Sequence, residues 1–221
     1  MTFLIAAASP GAAWAASNVE IFAGGQFDYS NYGYIGATVP LNSNPNSGFA
    51  IRGFVDAGGY NYLDDLGTVK ANFGGGELDA LYRISRDTFW SEFGLGIDDT
   101  YTGTTPDDPS NPLNGEQAEL RLSTDGATLS GPWRVDWEGY YGPRLQDYNA
   151  MVGGTHSLSS SWRLGAQFYI EGNPTYSLYE AGPYAGFTFA KDSELEFSAG
   201  EAWESGVAPR TYVRALIYQR L

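Results

Sequence analysis

Apolar and polar residues alternate one by one through most of this chain, and any fold must satisfy that pattern. In EQAELRLS (116–123), Ala118, Leu120 and Leu122 stand against Glu119 and Arg121. In PWRVDWEGYY (132–141), Trp133, Val135 and Trp137 stand against Arg134, Asp136 and Glu138. SWRLGAQFYI (161–170) sets Trp162, Leu164, Ala166, Phe168 and Ile170 against Arg163 and Gln167, and SELEFSAG and TYVRALIYQRL repeat the pattern. A period of two marks strands with unlike faces. Helical periodicity is hard to find, and no run approaches the roughly 20 apolar residues of a membrane helix.

About twelve such strands are expected, near 19–27, 32–41, 48–58, 72–84, 88–97, 116–124, 132–141, 146–154, 161–170, 176–189, 194–203 and 211–221. Most are about ten residues long, the length a tilted strand needs to cross a bilayer core. No linker or composition break separates them, so 16–221 reads as a single β domain. Residues 1–15 read as a secretory signal: an apolar stretch from Phe3 to Ala8, then small residues ending in Ala13-Trp14-Ala15. The positively charged opening of such a signal is missing, so the segment reads as its later part.

Alternation does not say which face is inside; barrel size does. Eight strands make a barrel that side chains just fill, and twelve leave a wider interior. Alanine, glycine and leucine cannot fill it, whereas water and paired long polar side chains can. The apolar face then looks outward, as in a membrane barrel. The expected fold is all-β, an antiparallel up-and-down transmembrane barrel in a bacterial outer membrane, with lipid as a partner. Tyr32, Trp133, Tyr141, Trp162, Trp203 and Tyr212, near strand ends, suit its interfacial girdles. Arginines 52, 83, 121, 134, 163 and 214 fall mid-strand on the polar face beside carboxylates. Cross-strand pairs there make the lumen rigid; the sharper reading is a selective path for a polar solute.

The chain carries a net charge of −14 and only two lysines, so it repels phosphate backbones and nucleic acid is excluded as a partner. With no cysteine, thiolate metal and nucleophile chemistry are excluded too. With both termini on the periplasmic side, the connection around 98–115 lies outside the cell. SRD (85–87) and AKDS (190–193) are then tight periplasmic turns, with NSNPNS and THSLSSS as longer ones. The outer loop, TTPDDPSNPLNGE (104–116), is rigid by composition: Pro106, Pro109 and Pro112 fix the backbone and Asn114-Gly115 restarts the hairpin.

TPDDPSNPLNGEQAELRL resembles the Asp-Pro-x-Asn-x-x-x-Gly segment and following strand of the cellulose biosynthesis protein BcsS family. NYGYIGATVPLNSNPNSGFAIRGFVDAGGYNY, EAGPYAGFTF and SAGEAWESG are similar to its other strands. The resemblance implies an outer-envelope protein linked to bacterial cellulose production, with cellulose or the secretion apparatus as partners. It brings no cofactor and no catalytic residues. The chain departs from other membrane barrels at its end: Leu221 stands where an aromatic is usual, and Gln219 falls on the lipid face.

The candidate site follows from the loop. Asp107, Asp108 and Asn111 offer oxygens to glucan hydroxyls, with Tyr101 as a stacking surface; the plainer reading is a lid over the mouth. Enzymatic alternatives are narrow. A lipid-modifying barrel using serine, histidine and an acid must use His156, the only histidine, which sits in a turn segment. Adjacent aspartates (64–65, 98–99, 107–108) do not supply the fixed carboxyl pair of a glycoside hydrolase. Residues 107–111 lack the spacing and bidentate glutamate of a calcium loop, and GGGE (74–77) precedes a strand, so it is no phosphate cradle. The function expected is a non-enzymatic barrel supporting cellulose biosynthesis, export or surface organisation; a small passive porin is the other alternative.

Overall fold

The computed structural model describes residues 19–27, 31–44, 46–64 and 67–221; the signal segment expected at 1–15 lies outside them. Twelve strands follow one another: β1 (Glu20–Phe27), β2 (Asn31–Pro40), β3 (Gly48–Asp64), β4 (Gly67–Arg86), β5 (Phe89–Thr105), β6 (Gly115–Ser130), β7 (Trp133–Gly142), β8 (Asp147–Ser157), β9 (Trp162–Asn173), β10 (Tyr176–Ala190), β11 (Ser193–Glu204) and β12 (Arg210–Arg220). Each pairs antiparallel with the next, and β12 returns to β1 with Arg220 opposite Glu20, closing the barrel. Closure gives every strand two neighbours and leaves no edge around the body of the barrel, while the upper ends of β3 and β6 extend past a shorter neighbour.

Parity sorts the side chains as the alternation requires. Leu95 and Ile97 of β5, Leu120 and Leu122 of β6, Val135 of β7, Leu164 and Phe168 of β9 and Ile217 of β12 are all exposed on the outer surface. Their polar neighbours Asp98, Glu119, Asp136, Arg163 and Gln167 are buried inside. Exposed apolar surface on this scale marks a face that meets lipid. Trp133, Trp162, Tyr141 and Trp203 belong to it. Tyr32 and Tyr212, expected in the girdles, do not. Tyr212 is fully buried against Leu178 and Ala202, and Tyr32 lines the interior. Both stand near strand ends but on the inward parity, and parity decides.

At the end carrying the termini, 41–47 and 158–161 are the longer connections and the other three are two residues each. Asp87-Thr88, Gly131-Pro132 and Lys191-Asp192 each join two strands, with Gly131 (φ 60°) and Asp192 (φ 59°) supplying the left-handed residue such turns need. Gln219 faces outward at this same end, opposite Ile21, so its amide sits at the rim of the apolar band.

Four strands outrun the sequence expectation. β3 continues past 58 to Asp64, β4 starts at Gly67, β5 runs on to Thr105 and β6 to Ser130. The outer faces of the segments added to β3, β4 and β5 at the mouth carry Asn61, Lys70 and Asp99, all exposed, whereas β6 gains 125–130 at the opposite end. Above the lipid a strand has no need of apolar residues outside, so the pattern that reveals strands fades while the ladder continues. At about 3.3 Å per residue, the 20-residue β4 is roughly twice as long as the 10-residue β7, and the β3–β6 wall stands above the rest.

The boundary can be tested on one strand. Leu95→Arg, on the outer face within the band, is expected to destabilise the folded barrel by about 2–4 kcal/mol, and Tyr101→Arg, on the same face above it, by about 0–1 kcal/mol. Urea titration in lipid vesicles measures both; equal costs would mean that the band is misplaced.

Candidate functional site: the lumen and its mouth

One cavity of about 1550 Å³ occupies the interior, bounded by Glu20, Arg83 and Arg220 near the termini and by Tyr62, Asp108, Asn111 and Arg210 at the opposite mouth. The mid-strand arginines all point into it or into its wall, and each meets carboxylates. Arg163 of β9 bonds Glu194 through Nε at 2.7 Å, Asp136 through Nη1 at 3.3 Å, and Glu196 through Nη2. The second partner of Nη2 is the Tyr184 hydroxyl, an acceptor at 3.2 Å. Arg134 shares Asp136 (2.5 Å) and Glu194 (3.4 Å). Arg121 of β6 reaches Glu77 of β4 (3.2 Å) and Asp147 of β8 (3.1 Å), and its guanidinium lies 4.1 Å from the Tyr140 ring centre.

Several braces skip strands. Arg83 of β4 holds Glu20 of β1, and Arg220 of β12 bonds the same carboxylate at 2.5 Å. Gln26 of β1 donates to Glu180 of β10 at 2.5 Å, while Arg214 donates to both. The guanidinium fork suits these multi-carboxylate contacts. They hold the wall in shape, as the expected charge pairing requires.

The lining is nonetheless unbalanced: fourteen carboxylates face this cavity against six guanidiniums. Asp56, Asp125 and Glu138 make no ion pair among the described residues. Also among the described residues, no three carboxylates or histidines come together to hold a metal ion.

At the mouth, residues 106–114 join β5 to β6 and bend inward. Asp108 is buried; its Oδ1 accepts from the Ser110 amide (3.0 Å) and hydroxyl (2.6 Å), and its Oδ2 from the Tyr62 hydroxyl (2.6 Å). Asn111 donates to the same Tyr62 oxygen at 2.9 Å and accepts from the Leu113 amide at 2.9 Å. Tyr62 belongs to β3, so the loop crosses over β4 to reach it. Asp107 is exposed and accepts from Asn114 at 3.2 Å. Tyr101 is 62% exposed on the outer face, on the opposite parity from the lumen. The structure therefore brings Asp108 and Asn111 together, but engaged with Tyr62, and it sets Tyr101 apart from them.

His156 lies on the outer face near the terminal end, its ring edge-on to Trp133 at 4.7 Å. Its neighbours there are the lipid-band residues Trp133 and Leu164, in register with it on β7 and β9.

The family model for cellulose biosynthesis protein BcsS matches residues 21–221. The chain belongs to that family. No curated protein matches it in sequence. Among solved structures, this BcsS-family barrel is similar to the KdgM porin, at 11% identity and a TM-score of 0.57 over 91% of this chain and 99% of that one. It is similar also to the COG4313 outer membrane channel from Pseudomonas putida F1, at 13% identity and 0.56 over 97% and 100%. The translocator domain of the autotransporter NalP from Neisseria meningitidis gives 12% identity and 0.52 over 95% and 90%. At these identities the likeness is one of fold: the family's barrel is built like those of outer-membrane proteins.

Sequence reading missed the aromatic residues of the lumen. The signal was present in RGFVDAGGYNY, where Arg52, Phe54, Asp56, Gly58, Tyr60 and Tyr62 share one parity. The arginine and aspartate mark that parity as inward, and the rings go with them.

Two outcomes follow for BcsS-family barrels of this design. Arg163→Met leaves Glu196 without its ion-pair partner and Asp136 and Glu194 with Arg134 alone, and is expected to cost about 3–5 kcal/mol, read by urea unfolding in vesicles; a neutral result would show the charge network to be water-relaxed. The hydrogen bonds from Ser110 and Tyr62 hold the Asp108 carboxyl below the usual carboxylate range. Its contribution is therefore fully present above about pH 3.9, the ordinary unfolded value, and is lost only as pH falls through the lowered one. Cleavage within 106–114 by pepsin should stay slow at pH 4 in the wild type and be fast there in Asp108→Asn.

Proposed function

We propose that this BcsS-family barrel resides in the bacterial outer membrane and supports cellulose export or its organisation at the cell surface, without catalysing a reaction. The observation that carries the reading is the lumen: a cavity that touches both rims of a barrel with a lipid-compatible exterior, in a chain of a cellulose biosynthesis family. The likeness to porins and channels supports a conduit over a plugged anchor.

A lipid-modifying enzyme built on His156 finds less support, because that ring is packed against Trp133 on the outer face at the terminal end. No acid or amide is hydrogen-bonded to it among the described residues' contacts, and a triad needs one to orient the base. A passive porin is favoured by the same lumen and differs only in lacking a tie to cellulose.

A deletion strain complemented with tagged protein tests the reading. Expected are recovery in the outer-membrane fraction and altered cellulose amount or placement on deletion, restored equally by wild type and His156→Ala. Unchanged cellulose would leave the porin; failure of His156→Ala alone to complement would bring back the enzyme.

A further inference from the structure

One wall of the lumen differs from the rest. On β1–β4 the inward side chains are not mainly ion pairs but rings set in a checkerboard with glycine. Gly58 of β3 stands in register with Tyr32 of β2 and Phe73 of β4. A side chain on Gly58 would meet Phe73 Cζ and Tyr32 Cβ, both at 2.7 Å from its Cβ position. Likewise Gly36 lies under Phe22 Cζ and Phe54 Cβ at 2.5 Å, and Gly24 under the Tyr34 hydroxyl at 2.5 Å. A ring whose tip covers the neighbouring strand's glycine lies along the wall instead of projecting toward the axis, and one face stays turned to the lumen.

These rings form a line. Tyr62 and Tyr60 are 5.9 Å apart between centroids, Tyr60 and Phe73 6.5 Å. Gly58 lies between Phe73 and Tyr32; Tyr32 stacks on Tyr34 at 6.2 Å, Tyr34 meets Phe22 at 6.2 Å, and Phe22 meets Phe54 at 6.3 Å. From Tyr62 at the mouth to Phe54, the line descends roughly 26 Å at the strand rise of about 3.3 Å per residue, long enough for several hexose units. Asp56, in register with Tyr34, sits within it. Tyr32 and Tyr34 also share a side cavity of about 40 Å³ with Glu138 and Met151 of the facing strands, so the two walls approach each other beside the line. The tyrosines of the charged wall are differently used: Tyr140, Tyr169 and Tyr184 carry the guanidiniums of Arg121, Arg214 and Arg163 on their faces.

We propose that this aromatic line is the binding track for a linear, electrically neutral polysaccharide, which deepens the cellulose reading above and rests on it. A pyranose presents axial C–H bonds on its flat faces and hydroxyls at its rim. Ring faces, with their negative quadrupole, take the C–H patch, while Asp56 and Asp98 accept hydroxyls at the edges. Successive rings allow a chain to slide from one to the next without a deep trap, since conduction requires sites weak enough to leave. The carboxylate excess of the lining selects against anionic sugars, because a cleft lined by one sign of charge focuses that field on its contents.

Glycine rescue by aromatics also stabilises a sheet, so the test needs a readout beyond folding. Purified protein in detergent is titrated with cellohexaose and with hexagalacturonate, following intrinsic fluorescence, and the same samples are put into planar bilayers to record current blockade. Folding is checked by heat-modifiable gel migration. Cellohexaose binding and blockade are expected. The double substitution Tyr60→Ala with Phe73→Ala should weaken binding by roughly tenfold or more, the scale of removing ring area from contact, while Phe93→Ala on the outer face leaves it unchanged. Hexagalacturonate should bind at least about tenfold more weakly, as field focusing predicts. A folded wild type that ignores cellohexaose, or binds both sugars alike, overturns the track. So does a folded double variant that binds normally. Because fluorescence binding does not depend on an open pore or on a cellulose phenotype, failure of the track and failure of the proposed function are read separately.

Discussion

Everything in this barrel depends on the requirement that backbone N–H and C=O groups facing lipid be paired within the protein. A twelve-strand sheet meets it by closing β12 onto β1. Once closed, the sheet has two environments separated by a single parity step, and each residue's chemistry is assigned by whether its number is odd or even within its strand. Within the band most leucines and valines go to the outside, and arginine and glutamate go to the inside. The Arg163 and Arg121 clusters are consequences of that sorting: charges confined to a narrow space find opposite charges. Their value is positional. They fix the shape of a lumen that apolar side chains do not fill.

The strand number and antiparallel order were legible from alternation, because lipid enforces apolar residues at every second position, and the inside-out polarity from the barrel size that the strand number implies. The full lengths of β3, β4, β5 and β6 were not. In YNY, GTVK and DDTYTGTT the outer positions carry Asn61, Lys70 and Asp99, exposed polar residues that erase the alternation while hydrogen bonding continues unseen. Tyr32 and Tyr212 show the same limit from another side. Position near a strand end suggested the girdle, but their inward parity takes them out of it. For the site, loop composition drew the eye to Asp108 and Asn111. Hydrogen bonding of loop oxygens to a distant strand residue, Tyr62, is a tertiary fact that composition cannot carry.

The contrast between loop and wall has a general basis. An Asp-Pro-Ser-Asn sequence is rich in acceptors, and in a compact loop its own amides and hydroxyls reach those acceptors first. Asp108 is satisfied three times over, by partners within two residues and by one tyrosine. Aromatic faces behave otherwise: a ring can fill a glycine gap with its tip and still present a face to the lumen. Chemistry open to a passing ligand therefore belongs more naturally to the plain-looking glycine-tyrosine strands than to the conspicuous loop.

The raised β3–β6 wall makes the mouth asymmetric. The low β7–β8 hairpin stands beside a screen formed by four longer strands and crowned by the 106–114 loop. A stiff polymer leaving along Tyr60 and Tyr62 would follow the inner face of that screen to its crest, with clear water on the lower flank alone. Its heading would be biased by the architecture, as a spout sets the direction of a jet. A barrel of this form thus carries a compass bearing, and barrels that share an orientation would lay down fibres that share one.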